Sequence, residues 1–219
     1  MLASGAIEKC SERPICVSPL KCVPKKSNKL RLIIDLRHVN ASIRTPRFKY
    51  EDINVVVDQV QQDDELVSID LRNGFQHIKV HPDHRTFLGF KWDNCYYRFC
   101  VLPFGLACSP YYFCKLIRLV ANHLRQQSLR ICCYMDDILL MAKEADIMAH
   151  RDLLLLCLQR LGWQLNFEKS ELTPSHEITY IGYRVITNDP GGHPLLKIPV
   201  ERIRKLRKDI RRLLHNGQA

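Results

Sequence analysis

Leu129-Arg130-Ile131-Cys132-Cys133-Tyr134-Met135-Asp136-Asp137-Ile138-Leu139-Leu140-Met141-Ala142 is the stretch on which the reading of the fold turns. Both flanks of the acidic pair are short, apolar and partly β-branched, without Gly or Pro, so they read as buried strands. The expected arrangement is a hairpin folding back at Asp136-Asp137. Two adjacent carboxylates beside low-dielectric walls repel each other and lose hydration. A divalent cation offsets that cost, because Mg²⁺ takes hard carboxylate oxygens and completes its octahedron with water and phosphate. The plainer reading is that Asp-Asp is the polar tip of a hairpin, and the rest of the chain decides between the two.

Outward from this stretch, charge is segregated. Residues 1–50 carry eleven Lys/Arg against three Asp/Glu, residues 197–219 eight against two, and residues 51–196 fourteen against eighteen. Basic ends around a mildly acidic middle suit a polyanion at the periphery and metal ions at the centre. At 219 residues the chain can bury one sizeable core or two small lobes sharing one. No run approaches the roughly 18 apolar residues of a membrane span, and the N-terminus lacks a signal-peptide pattern, so an intracellular protein is expected, cytoplasmic or nuclear. Of ten cysteines most lie inside apolar runs, as Cys100, Cys114, Cys132, Cys133 and Cys157 do, and read as buried reduced thiols. Cys10, Cys16 and Cys22 recur every six residues, but without a Cys-x-x-Cys pair or matching His pair they make a poor zinc site.

In chain order, residues 1–21 suggest a short helix and a loop broken by Pro14 and Pro19. Cys22 to Arg37 reads as a hairpin with a basic turn at Lys25 to Lys29. Ile53, Val56, Val57 and Val60 stand at helical spacing. Leu66-Val67-Ser68-Ile69-Asp70 is an apolar strand ending on a carboxylate, which could face the Asp136 hairpin across a metal pocket. Gln76 to Val80 reads as a strand, and Phe87 to Val101 as a hairpin turning at Asp93-Asn94. A helix over about 111–127 would bury Phe113, Leu116, Val120 and Leu124, and one over about 145–161 Leu154, Leu158 and Leu161. Residues 163–186 read as two or three strands with Lys169 in a loop, and Ile203, Leu206, Ile210 and Leu213 form a narrow stripe on a very basic helix.

Six motifs now stand in order. Pro24-Lys25-Lys26 with Arg31 and Asp35-Leu36-Arg37 is the first, and Asp70-Leu71-Arg72-Asn73-Gly74-Phe75 the second. Leu102-Pro103-Phe104-Gly105 through Ser109-Pro110 is the third, and Tyr134-Met135-Asp136-Asp137 the fourth. Leu161-Gly162-Trp163 through Lys169 and Tyr180-Ile181-Gly182-Tyr183 complete the set. Together they resemble the reverse transcriptases over about residues 20–186. The spelling at His81 to Arg85, Phe87 to Trp92 and Glu168-Lys169-Ser170 is most similar to the tyrosine-recombinase (DIRS-like) retrotransposons and next to the long-terminal-repeat group.

The resemblance implies an α+β fold, the fingers and palm of a right-hand polymerase. Fingers would span about 1–46 and 78–108 and palm about 47–77 and 109–190, with 191–219 a basic helical lead into a largely absent thumb. It implies catalysis by Asp70, Asp136 and Asp137 holding two Mg²⁺ (or Mn²⁺), with Leu71 joining both the metal and the dNTP-binding sets. Lys25 or Lys26, with Arg31, would clamp the incoming phosphates; Phe75 would exclude a 2′-hydroxyl. Phe104 and Gly105 would line the nucleotide, and Lys169 would give a proton to pyrophosphate. Tyr180, Ile181, Gly182 and Tyr183 would form the primer grip. Asn73 and Gln76 depart from the acid and aromatic often found in the second motif. Implied partners are dNTPs, an RNA or DNA template with its primer, and other retroelement domains or chains supplying thumb and ribonuclease H. Two alternatives stand beside this one. One is a decayed or domesticated fragment that only binds nucleic acid through its basic ends. The other is an RNA-templated RNA polymerase, against which Phe75 argues.

Overall fold

Mainly apolar runs such as Leu66 to Ile69, broken only by Ser68, and Ile138 to Ala142 become interior strands, because a strand covered on both faces has little polar side to show. The computed structural model describes residues 1–24 and 30–215, the side chains of Pro24, Leu30, Arg31 and His215 excepted. In chain order the strands are β1 (Ile7–Lys9), β2 (Val17–Ser18), β3 (Leu20–Pro24), β4 (Leu30–Ile34), β5 (Glu65–Asp70), β6 (Gly89–Trp92) and β7 (Cys95–Phe99). They continue as β8 (Arg130–Tyr134), β9 (Asp137–Ala142), β10 (Glu171–Ser175), β11 (Glu177–Tyr180), β12 (Tyr183–Ile186) and β13 (Leu195–Lys197). The helices are α1 (Arg37–Asn40), α2 (Ile53–Gln59), α3 (Ser109–Arg125), α4 (Glu144–Arg160) and α5 (Val200–His215). The chain divides into two compact units, Met1–Tyr50 with Asn73–Leu119, and Glu51–Arg72 with Val120–Ala219.

In the first unit β1-β7-β6-β2 form a mixed sheet and β3-β4 a separate antiparallel ribbon. The β6–β7 hairpin turns at Asp93 (φ 44°) and Asn94 (φ 57°), both left-handed as a type I′ turn requires and as Asp and Asn tolerate. The second unit is built on the antiparallel sheet β10-β5-β9-β8, beside a smaller sheet β11-β12-β13. Register places Leu66, Ser68 and Asp70 opposite Met141, Leu139 and Asp137, so these six share one face. Val56, Ile178, Tyr180 and Val185 bury that face with Leu66, Cys132, Leu139 and Met141. On the other face, Val67, Ile69, Ile138 and Leu140 lie under α4, whose Ile147, Leu154 and Leu158 are fully buried. Each such side chain contributes roughly 1.5–3 kcal/mol of burial. The sheet therefore forms a rigid floor whose apolar face runs out into carboxylates at one end.

Several expectations are corrected. Residues 7–9 and 17–18 are strands, held by pairing to β7 and β6, and no helix forms over 1–21. Gln76 to Val80 is not a strand: Gly74–His77 is a 3₁₀ turn entered from Asn73 at φ 57°, and only Lys79 pairs, with Val101. In α3 the buried stripe is Phe113, Ile117, Val120, Ala121 and Leu124, leaving Leu116 at 39% exposure; Leu161 lies past the end of α4 at 59% and Val57 is exposed in α2. The stripe on α5 is exposed at Leu206, Ile210 and Leu213. Cys100, Cys114, Cys132 and Cys133 are buried free thiols and Cys157 is half-buried.

Candidate active site

Asp70 is the last residue of β5 and Asp137 the first of β9, and the two are direct cross-strand partners. The Leu71 N–H donates to the Asp136 carbonyl at 2.8 Å, so Asp70 and Asp137 form a non-hydrogen-bonded pair, the closely spaced kind. Asp136 lies in the turn itself, next to Asp137, so the chain folds back at Met135-Asp136, one residue earlier than the Asp136-Asp137 expected. The hairpin has a two-residue loop, Met135-Asp136, of which only Met135 takes a positive φ, 54°, the pattern of a type II′ turn. A glycine would sit there without cost; Met135 spends about 1–2 kcal/mol. The hairpin is braced from below. Tyr180, 2% exposed, accepts from the Tyr134 N–H and reaches the Cys132 and Asp137 carbonyls, all at 3.1 Å.

The carboxylates are poorly neutralised. Burial is the main cause that raises the Asp137 carboxyl to about 6, with repulsion from Asp136 and Asp70 added. Burial and Asp70 raise Asp136 in the same direction. Among the described residues neither forms an ion pair, and the pull of Lys169 only partly offsets these effects. Lys169 approaches Asp70 Oδ2 at 3.3 Å from a largely exposed position, and the Asn166 side-chain amide donates to Asp70 Oδ1 at 2.7 Å. Among the described residues no three His, Cys, Asp or Glu side chains are drawn in tightly enough to hold a metal by themselves. Three hard carboxylates on one patch, two of them resisting ionisation, nevertheless form a donor set that a divalent cation fits.

In the first unit, Phe75 is 8% exposed and packs on Phe104 at 5.0 Å and on Phe113 at 5.6 Å. Phe104 itself is exposed, so the pair presents an aromatic surface with a fixed base. Gly105 has φ 93° and lies so close to the Ile34 carbonyl that a Cβ would meet it at 3.3 Å. Asn40 staples this loop, donating to the Gly105 carbonyl at 2.9 Å and accepting from the Ala107 N–H at 2.8 Å. Lys25 and Lys26 lie outside the described residues, as does the side chain of Arg31, whose backbone continues β4.

The structure thus brings Asp70, Asp136, Asp137 and Lys169 together, with Leu71 pairing to Leu165 beside them. Tyr180 to Tyr183 form the β11–β12 hairpin, turning through Ile181 (φ 41°) and Gly182 (φ 83°) as in a type I′ turn. Tyr180 enters that hairpin with its side chain turned into the core, and Tyr183 lies under the Arg202 guanidinium at 5.7 Å. Asn40 and Asn166 do not stand out in the sequence, and Ser170 does so only within the spelling Glu168-Lys169-Ser170. The one further signal is Asn166 and Ser170 bracketing Lys169 at a four-residue spacing.

A family model described as reverse transcriptase (RNA-dependent DNA polymerase) matches residues 23–185. The chain belongs to this family. It is 25% identical over 216 residues to the Transposon Tf2-3 polyprotein of Schizosaccharomyces pombe, spanning 97% of this chain but 16% of the polyprotein, and equally similar to the Tf2-4 polyprotein. Among solved structures it resembles the foamy viral protease-reverse transcriptase in complex with dsDNA. There the TM-score is 0.78 at 22% identity, over 94% of this chain and 41% of that one. The same viral protein in complex with RNA/DNA hybrid gives 0.77 over 94% of this chain and 26% of that one. The fold is therefore the α+β fold of the reverse transcriptases. The tyrosine-recombinase affinity expected from His81 to Arg85, Phe87 to Trp92 and Glu168-Lys169-Ser170 gains no support, and the similarity to the Tf2 polyproteins favours the long-terminal-repeat group. Among the described residues no helix of this reverse transcriptase chain is long and apolar enough to cross a membrane.

Proposed function

We propose that this chain is the fingers and palm part of an RNA-directed DNA polymerase of a retroelement, adding deoxynucleotides to a primer 3′-hydroxyl. The observation that carries the reading is the register of β5 against β9, which sets Asp70 beside Asp137 and next to Asp136. Asp70, Asp136 and Asp137, with the Leu71 backbone, would hold Mg²⁺. Two such ions, when bound, activate the hydroxyl and neutralise the triphosphate and leaving pyrophosphate. The protein's own residues do the rest. Lys25 or Lys26 and Arg31 bind the triphosphate, with Arg suited to bidentate contact. Phe75, fixed against Phe104 and Phe113, is the aromatic that would exclude a 2′-hydroxyl. Lys169 holds Asp70 and carries the proton available to the pyrophosphate. The Ile181-Gly182 turn meets the primer, with Tyr180 working from beneath by holding the hairpin of Asp136 and Asp137. In this reading the fingers span about 1–46 and 78–108 and the palm about 47–77 and 109–190, with 191–219 leading toward a thumb. Nucleic acid and the other domains of a longer polyprotein are the proposed partners.

Primer extension on an RNA template, with a DNA primer, dNTPs and Mg²⁺, tests this. Extension should fall by about a hundred- to a thousandfold in Asp136→Asn, the scale expected when a group that stabilises the transition state is removed. Ribonucleotides should be used poorly until Phe75 is shortened. The exposed basic helix α5 favours one second reading, a module that binds duplex without synthesis. Salt-sensitive duplex binding with no extension by the wild-type chain would favour that module and sink the polymerase.

A further inference from the structure

Every hydrogen-bonding group of Asp70 is engaged by one five-residue loop. Leu165 pairs with Leu71 and Glu171 with Ser68, so the chain leaves and rejoins the edge of β5 on either side of Asp70. Between those points residues 166–170 arch over the aspartate. The Asn166 N–H donates to the Asp70 carbonyl at 2.9 Å, and the Asp70 N–H donates to Ser170 Oγ at 3.0 Å. The Asn166 amide donates to Oδ1 at 2.7 Å, and the Lys169 ammonium donates to Oδ2 at 3.3 Å. The loop closes on itself as well, since Ser170 Oγ–H and the N–H groups of Lys169 and Ser170 all donate to the Asn166 carbonyl, at 2.9–3.1 Å. Asn166 is the hub of this clasp.

The two contacts on the carboxylate differ in kind. Lys169 is largely exposed on a long flexible stem, and its charge competes with any cation that comes to Asp70. The Asn166 amide is neutral and short, and its loop is fixed by backbone bonds, so it can keep Oδ1 in place while a cation takes the other lone pairs. Resting on the polymerase reading above, we infer that Asn166 is a positioning residue: it locks the orientation of Asp70, so that a divalent cation meets a carboxylate already set to receive it.

Mn²⁺ binding, followed by the spin resonance signal of the free ion, tests this on the wild-type chain and on Asp136→Asn, Asn166→Ala and Asn166→Ser. Serine keeps the turn-forming character of the position, but its hydroxyl falls short of Oδ1. The expected result is about tenfold or more weaker Mn²⁺ binding in both Asn166 variants, the scale of a lost outer-shell partner. In primer extension the Mg²⁺ needed for half-maximal rate should rise by a similar factor, while the rate at saturating Mg²⁺ returns to within a few-fold of wild type. A merely structural residue would lower the melting temperature and leave Mn²⁺ affinity unmoved. Wild-type affinity in folded Asn166→Ala overturns this inference and leaves the polymerase reading standing, and failure of both variants to fold with Mn²⁺ present overturns it as well. If the wild-type chain binds Mn²⁺ no better than Asp136→Asn does, the metal site itself fails.

Discussion

Strand β5 has a carboxylate at each end, and the two ends have opposite electrostatics. Asp64, immediately before the strand, is 0% exposed yet fully neutralised. Arg130 grips it with two nitrogens at 2.5 and 2.7 Å, Lys143 stands at 3.3 Å, and the Gln61 N–H donates at 2.7 Å. Burial alone would raise its carboxyl, but the Arg130 guanidinium prevails and holds it below the usual range. At the other end Asp137 is raised to about 6, because burial and its acidic neighbours are opposed only by Lys169. The same strand pair that supplies cations to one buried carboxylate withholds them from the next. A site where charge stays uncompensated is one where a cation from outside gains most.

The comparison breaks first at Asp64. Asp64→Asn keeps the shape and removes the charge that Arg130 and Lys143 were placed to meet. The expected cost is about 3 kcal/mol, toward the low end for breaking a buried pair, because both cations can turn partly to water. Urea unfolding of the metal-free chain measures it, and a loss under about 1 kcal/mol would mean that this end is a surface pair despite its burial.

Asp137→Asn should act in the opposite direction. The Asp137 carboxyl titrates near 6 in the folded chain and has an ordinary value of 3.8. Across that window the folded chain keeps a proton that the unfolded chain has lost, so this group destabilises the fold as pH rises from about 4 to 6, and fully above 6. Removing it should raise the melting temperature of the metal-free chain at pH 7.5 by roughly 2–4 °C, equivalent to about 1 kcal/mol at this size once solvent screening is allowed for. The gain should vanish below about pH 4, and millimolar Mn²⁺ should stabilise the wild type but not the variant. A variant less stable than wild type at pH 7.5 would show that the carboxylate is already satisfied.

How far sequence reveals these two ends depends on how local their causes are. The acidic hairpin was legible, because Tyr134 to Asp137 lie between two apolar runs and a two-residue turn needs nothing distant. The Asp93-Asn94 turn was legible for the same reason. Nothing in the sequence marks Asp64 beyond its acidic neighbours Asp63 and Glu65, since Arg130 is 66 residues away and their pairing follows from the antiparallel register of β5, β9 and β8. The inward turn of Tyr180 was equally hidden: alternation along β11 fixes it, but which face of β11 is covered depends on the larger sheet. Strand β1 exists because β7 offers it an edge, and three residues carry no pattern of their own. The clasp of Asn166 around Asp70 spans nearly a hundred residues, and an Asn in a loop has many uses.

The finest test separates the two cations at the neutralised end. Arg130 is 25% exposed and bidentate, while Lys143 is 47% exposed, with one 3.3 Å approach to Asp64 besides its hydrogen bond to the Gln62 carbonyl. A planar fork loses little freedom per bond and a mobile ammonium loses more, so the two contacts should differ in worth although both are ion pairs. Lys143→Met keeps the apolar stem and should cost less than about 1 kcal/mol, the range for an exposed pair. Its effect should fade as pH falls below the ordinary carboxyl range, because Asp64, held low in the folded chain, gives up its charge there and with it the reason for a partner. A loss from Lys143→Met equal to that from Arg130→Met would mean that Asp64 needs total positive charge and not the guanidinium fork. The contrast with Asp137 would then rest on the number of cations nearby.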